Sequence, residues 1–415
     1  MTNKATEILV IGAGVIGLSC AFRLIREGHR VLLLDRDQPG LGASFGNAGH
    51  IATEQVFPLA SPEVVRGAMR YLFDRESPLR IRPAYLLLIL PWLARFACAS
   101  RESAFQRGVA ALSALQRSAG NDMVALLGDA CAAQLLKMDG HLVLVENPES
   151  VVAAQAEIAR LAQFGIGANW LSPTEVRDLA PDITASIQGA LKFTGTGHVA
   201  DPFAVSTALY DAFVAAGGKF LQTDVAAIDS TPSGFIARSS TGKSHGATHV
   251  IICCGAWSKA LAAQLGYPVP LDTERGYHIT LPGVFPRFMI PVASYERKVI
   301  MTPMSCGLRM TGTVEFGGLH LAPDPTRYLA LERHMNALAA NIPTENTTTW
   351  MGFRPSLPDH LPVLGRVPDG RNLYFAFGHQ HLGLTLAGVT ARIIAAQIRG
   401  DETEISLAPF APNRF

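Results

Sequence analysis

Residues 8 to 35 constrain the fold more than any other part of the chain. A short apolar run, Ile8 to Ile11, leads into Gly12-Ala-Gly-Val-Ile-Gly17, and Val15 to Glu27 carries apolar residues at helical spacing. Gly28 ends that helix, and a second apolar run, Val31 to Leu34, terminates in Asp35. Two apolar strands joined by a helix within about thirty residues make a β-α-β crossover, with parallel strands in a buried sheet. Gly12 permits the tight turn, Gly14 lets the backbone approach a pyrophosphate, and Gly17 lets the helix pack close to the strand. The helix N-terminus, with Val15 and Ile16 in its first turn, then turns unpaired N–H donors toward the phosphates. Asp35, about twenty residues on, is placed to accept from ribose hydroxyls.

At 415 residues the chain calls for about two packed units. With 48% hydrophobic and 17% charged residues it shows no sign of disorder, and a net charge of +1 supplies no general attraction to nucleic acid. Six cysteines without a CxxC pair read as small buried hydrophobes. The polar start from Met1 to Glu7 lacks the pattern of a signal peptide, so cytoplasmic residence is expected. Ala84 to Ala97 is almost wholly apolar but holds Pro91 and is shorter than the roughly 20 residues of a spanning helix. It reads as a buried helix pair broken at the proline, or else as a surface element that dips into a membrane or docks a partner.

Further blocks repeat the first in type. Ala204 to Ala216 reads as a helix, followed by strand-like Lys219 to Thr223 and Val225 to Ile228; His249 to Cys254 is a buried strand running into Gly255. Leu373 to Phe377 is another strand, followed by a glycine-bearing turn from Gly378 to Gly383 and a helix from Leu384 to Arg399. The expected division is a dinucleotide domain of residues 1–58, 190–268 and 345–415, interleaved with an α+β substrate domain of residues 59–189 and 269–344.

The fingerprint alone leaves NAD and FAD open. Beyond Asp35 come Arg36 and a loop of small residues, Gly40-Leu-Gly-Ala-Ser-Phe-Gly-Asn-Ala-Gly-His50. Here the sequence resembles the D-amino acid oxidase-like superfamily of FAD enzymes, in its D-amino acid dehydrogenase branch, where an AS-x-x-NAG loop follows the β-α-β unit. The resemblance implies an α/β fold of the glutathione reductase type and FAD contacts from Arg36, Ser44, Asn47 and Gly49. Val225, Gly255, Trp257 and Gly378, near the ends of later strands, join the expected cofactor set. A second matching block runs from Trp350 to Gly365, and its Arg354 has few charges around it; a planar fork of donors suits a bidentate grip on a carboxylate. The resemblance implies that Arg354 holds the substrate carboxylate beside the flavin. Sarcosine oxidase relatives with covalent flavin carry a cysteine near the Gly352 position; none is present, which implies non-covalent FAD. A third block, Phe377 to Leu386, resembles the family's C-terminal helix start, where Gly383, Leu384 and Thr385 offer amides to reduced flavin. Tyr277, in Arg-Gly-Tyr-His-Ile-Thr280, matches a KGYS-x-T segment with two changes and is a candidate to share the carboxylate. His50 is a candidate for the catalytic face. Leu72 to Leu79 also looks like a feature of the dehydrogenase branch.

The implied reaction is oxidation of a small D-amino or imino acid, with D-proline or hydroxy-D-proline favoured, by hydride transfer to flavin and onward transfer of electrons to a quinone or other carrier. The apolar segment 84–97 suits peripheral contact with the inner face of the cytoplasmic membrane. Three rivals stand: a glycine or sarcosine oxidase using oxygen, an NAD-dependent hydroxy-acid dehydrogenase, and a non-catalytic flavin-binding subunit. No metal is expected, since His379 and His381 have no acidic or third ligand near them in sequence.

Overall fold

In the computed structural model, which describes residues 7–73 and 77–415, Ile8–Ile11 lies at the centre of a six-stranded sheet. Lys219–Gln222, Val31–Asp35, Ile8–Ile11, His249–Ile252 and Leu373–Phe377 run parallel in that order, and Val363–Arg366 closes the edge antiparallel. The unbroken apolar runs are explained by burial on both faces. Ile8 and Val10 pack with helices Val15–Arg26, Pro202–Ala215 and Ala387–Arg399, whereas Leu9 and Ile11 pack beneath helix Ser258–Gln264 and the three-stranded meander Val225–Thr231, Gly234–Ser239 and Ser244–Ala247. This is the doubly wound dinucleotide fold that the sequence implied.

The second unit is a nine-stranded sheet whose strands are gathered from between residues 79 and 356. Its spatial order is Thr348–Ser356, Asp272–Pro282, Gly307–Phe316, Val299–Met304, Val292–Ser294, His141–Val145, Gly189–Phe193 and Ala168–Leu171, with Leu79–Ile81 added beside Gly307–Phe316. Strand alternation divides its residues. Tyr277, Ile279, Leu281, Met301 and Met310 face helix Pro325–Leu338 in a second core, whereas Gly276, His278, Thr280 and Arg309 turn toward the dinucleotide unit. Two contacts tie that face to the loop after Asp35: the His278 ring bonds Gly46 O through Nδ1 at 3.0 Å, and Arg309 donates to Asn47 O at 2.7 Å.

Several expectations need correction. Thr348–Ser356 and, from residue 190 on, Gly189–Phe193, assigned above to the dinucleotide unit, are strands of the nine-stranded sheet, because their pairing partners lie there. Leu86–Ala99 is one helix that continues through Pro91 rather than a broken pair. Ile89 and Trp92 face inward while Leu86, Leu87, Leu88 and Leu90 are exposed, Leu87 by 79%. Among the described residues no single helix is long and apolar enough to cross a membrane. Of the cysteines only Cys20 and Cys253 are buried; Cys98 and Cys306 are exposed. Residues 74–76 of the Leu72–Leu79 feature lie outside the described residues. The final helix begins at Ala387, so Gly383, Leu384 and Thr385 form the turn before it.

Candidate active site

The first glycine turn is built to bring backbone against a ligand. Gly12 sits at φ +106°, and a Cβ there would fall 2.4 Å from Cys253 O; at Gly17 it would fall 1.8 Å from Gly12 O, so helix and strand meet backbone to backbone. Val15 N–H donates to Ser44 Oγ at 3.0 Å, while the amides of Gly14 and Ile16 have no acceptor among the described residues. Asp35 is pinned at the strand end by the N–H groups of Ala13 (2.5 Å) and Asp37 (3.0 Å), and burial raises its pKa. The Arg36 guanidinium stacks 3.9 Å over the Trp257 ring.

These groups line one elongated cavity of about 1540 Å³, open mouth included. Of the expected cofactor residues, Gly12, Gly14, Val15, Ile16, Asp35, Arg36, Ser44, Asn47, Val225, Gly255, Trp257, Gly383 and Leu384 line it. The amides of Gly383, Leu384 and Thr385 have no acceptor among the described residues. The others expected there act behind the wall. Gly17 seats the helix, Gly49 (φ +73°) lies against Val199 O, Gly378 (φ +84°) lies against Leu357, and Thr385 Oγ1 accepts from Ala52 N–H at 3.0 Å. Free amides, a pinned acid at the strand end and a glycine turn packed backbone to backbone all suit the diphosphate and ribose of FAD.

Arg354 also lies off the cavity wall; its neighbours Phe353 and Pro355 line it. Its guanidinium occupies the gap over Gly276, where a Cβ would come 2.4 Å from Nη2, and Trp350 fills the corresponding gap over Gly352. Gly276 and Gly352 are directly paired across the strands, so one glycine pair makes room for both side chains. The hydrogen bond of Arg354 goes to Thr313 O, at 3.3 Å. Among the described residues no carboxylate comes within 4.0 Å of it. Burial lowers its pKa, with Glu274 opposing that effect. Beside it, His381 bonds Gln55 Oε1, and burial together with the Arg354 charge pushes its pKa down to about 3. His379 bonds Thr390 Oγ1 at 3.0 Å and is likewise lowered to about 3 by burial. His278 stacks on Trp350 at 5.1 Å and is also lowered to about 3 by burial. The site therefore holds two buried guanidinium groups, Arg354 and Arg309, among neutral imidazoles.

Tyr277 does not join this group. It is fully buried on the opposite face, donating to Glu315 Oε1 at 3.0 Å and accepting from Asp324 N–H at 3.1 Å. Strand alternation is the reason: once Gly276 lies under Arg354, Tyr277 must point away. His50 lies behind the loop, with its Nε2 bonded to Glu54 at 3.0 Å and its ring 4.5 Å from that of His141. Sequence reasoning missed Trp350, Glu54 and His141, and gave His278 and His381 no position; the alternation in Arg-Gly-Tyr-His-Ile-Thr280 carried the signal for His278.

A dinucleotide cradle, free amides and an unpaired arginine on an adjoining sheet define an FAD-dependent oxidoreductase. The family model described as FAD dependent oxidoreductase matches residues 7–397, and the chain belongs to that family. It is similar to a D-amino-acid oxidase of Bradyrhizobium diazoefficiens, 32% identical over 99% of both chains. A D-amino acid dehydrogenase of Rhodopseudomonas palustris is 29% identical over 99% of this chain and 98% of its own. Among solved structures, glycine oxidase from Geobacillus kaustophilus shares the fold at a TM-score of 0.75 and 23% identity, covering 99% of this chain and 98% of its own.

Proposed function

We propose that the protein oxidises a small D-amino or imino acid, and that Arg354 fixes the substrate carboxylate. The observation that carries this reading is the Arg354 guanidinium, held over Gly276 with no carboxylate partner within 4.0 Å among the described residues. An unpaired cation in a desolvated site is costly unless a ligand brings the counter-charge. The relatives named as D-amino acid oxidase and dehydrogenase support the substrate class.

The cofactor, when bound, supplies a two-electron acceptor for the hydride on the substrate Cα. The chain's own residues position. Arg354 orients the carboxylate in bidentate fashion, and the neutral His278 and His381 add no positive charge of their own that would repel the amine. The unpaired amides of Gly383 to Thr385 favour negative charge on the cavity side. The stacked His278–Trp350 pair stands beside Arg354 as a flat, stiff wall, which favours a compact substrate such as D-proline or hydroxy-D-proline over a long side chain. Replacing Arg354 by Ala lowers kcat/KM for the best D-substrate by about 10² or more, equivalent to roughly 3 kcal/mol, with FAD content unchanged. Turnover close to wild type at ordinary substrate concentration contradicts the reading.

For the electron acceptor we favour a quinone or another carrier at the membrane surface. Four leucines in the first turns of helix Leu86–Ala99, Leu86, Leu87, Leu88 and Leu90, are exposed. Beside them a second cavity, lined by Leu88, Leu271 and Leu321, shares Ala256 with the cofactor groove. This arrangement suits peripheral residence on the inner membrane face. Replacing Leu87 and Leu88 by Glu lowers quinone-linked turnover while leaving turnover with a soluble dye intact. Equal rates with oxygen and with quinone refute this part and favour an oxidase of the glycine or sarcosine type.

A further inference from the structure

Behind the loop that carries Ser44 and Asn47, the fold gathers four titratable side chains that the reaction above does not use. His50 comes from strand His50–Ile51 at the end of that loop, Glu54 from the turn that follows, His141 from strand His141–Val145, and His198 from strand Gly197–Val199. One ligand atom each of His50, Glu54 and His141 lies within 4.8 Å of the other two. His50 Nε2 and Glu54 Oε1 are 3.0 Å apart, the spacing of a hydrogen bond and also that of two ligands on one ion. His141 Nδ1 is held by Thr196 Oγ1 at 2.9 Å, and Phe193 stacks on the ring at 4.6 Å, so the ring is oriented and its Nε2 is left over. A metal-bound histidine characteristically has its second nitrogen anchored in this way.

A second observation is independent of that spacing. Glu54 is 7% exposed and His198 fully buried, yet Glu54 Oε2, His50 Nδ1 and both ring nitrogens of His198 have no hydrogen-bond partner. His198 pairs directly with His50 across the small antiparallel sheet, which puts the two side chains on the same face. A buried polar atom without a partner keeps the cost of its desolvation. Several such atoms in one cluster call for a partner from outside the chain.

We propose that His50, Glu54 and His141 bind a divalent first-row transition ion of the zinc class. Two imidazoles and one carboxylate form a borderline nitrogen and oxygen set suited to such ions. The ion joins the cofactor loop to the small sheet and to the nine-stranded sheet, fixing the loop from which Gln55 reaches His381. This site is separate from the carboxylate grip of Arg354 and does not depend on the substrate assignment.

The test uses untagged, FAD-loaded protein purified without added metal. Elemental analysis should find close to one zinc-class ion per chain. After removal by chelator, the flavoprotein should take up one equivalent of Co2+ with visible ligand-field absorption and recover its lost Tm. Glu54→Gln and His141→Asn, with flavin absorbance retained, should bind Co2+ about 10–100-fold more weakly. Wild-type protein that neither carries an ion nor takes up Zn2+ or Co2+ overturns the proposal, whatever the fate of the variants. Uptake by Glu54→Gln equal to that of wild type overturns it as well.

Discussion

Replacing Gly276 by Ala tests the geometry of the substrate site without touching a charged group. A Cβ there falls 2.4 Å from Arg354 Nη2 and 2.5 Å from Cζ, against about 3.5 Å for an ordinary contact. The guanidinium must therefore retreat by about 1 Å. Because the clash is with the far end of a flexible side chain, the sheet can keep its register while Arg354 moves. A displacement of about 1 Å in a positioned group costs on the order of 10² in rate, or roughly 3 kcal/mol of transition-state stabilisation. Steady-state kinetics with the preferred D-substrate should show kcat/KM down by about that factor, with FAD content and Tm near wild type. An unchanged kcat/KM would show that Arg354 does not hold the substrate from this gap and would refute the reasoning.

Gly12→Ala places a Cβ 2.4 Å from Cys253 O at φ +106°, a backbone clash that cannot relax by rotamer, so FAD content and Tm should both fall steeply; full flavin occupancy contradicts the cradle. Tyr277→Phe leaves Glu315 Oε1 and Asp324 N–H each short of a partner and should cost about 1–3 kcal/mol of stability with KM unchanged, as a denaturant titration beside kinetics would show. Burial lowers His278, His379 and His381 to about 3 in the folded state, below their unfolded value near 6.5. Their neutral burial thus contributes stability that is fully present above about pH 6.5 and is lost as pH falls toward 3, at roughly 1 kcal/mol per pH unit per histidine. Tm measured from pH 7.5 to pH 4.5 should decline accordingly, and a flat profile refutes this.

What the sequence showed, and what it hid, follows from the range of the interactions. The Gly12–Gly17 turn, Asp35 and the apolar strands are local patterns with a fixed period, so the dinucleotide unit was legible from a window of about thirty residues. Arg354 was legible because a lone arginine between glycine and proline is conspicuous. Its setting was not: the gap that receives it comes from Gly276, which becomes its neighbour only through strand pairing. Tyr277 was misplaced for the same reason, since a matching segment does not carry the strand pairing that turns Tyr277 to the opposite face from Gly276. His50, Glu54 and His141 lie up to 91 residues apart and meet only through tertiary packing, so no spacing could have grouped them. For helix Leu86–Ala99, composition gives apolarity but not which side is covered, which left a buried and a surface reading open; Leu86, Leu87, Leu88 and Leu90 face solvent.

The most direct test of the central claim is an anaerobic absorbance titration of the FAD-loaded wild type and Arg354→Ala with D-proline, hydroxy-D-proline, D-alanine, sarcosine and the corresponding L-compounds. Bleaching of the flavin band by a D-compound in the wild type, and at least about 10²-fold slower bleaching in Arg354→Ala, is the predicted result. A flavin band that none of these compounds bleaches, or that both proteins lose at the same rate, contradicts the account.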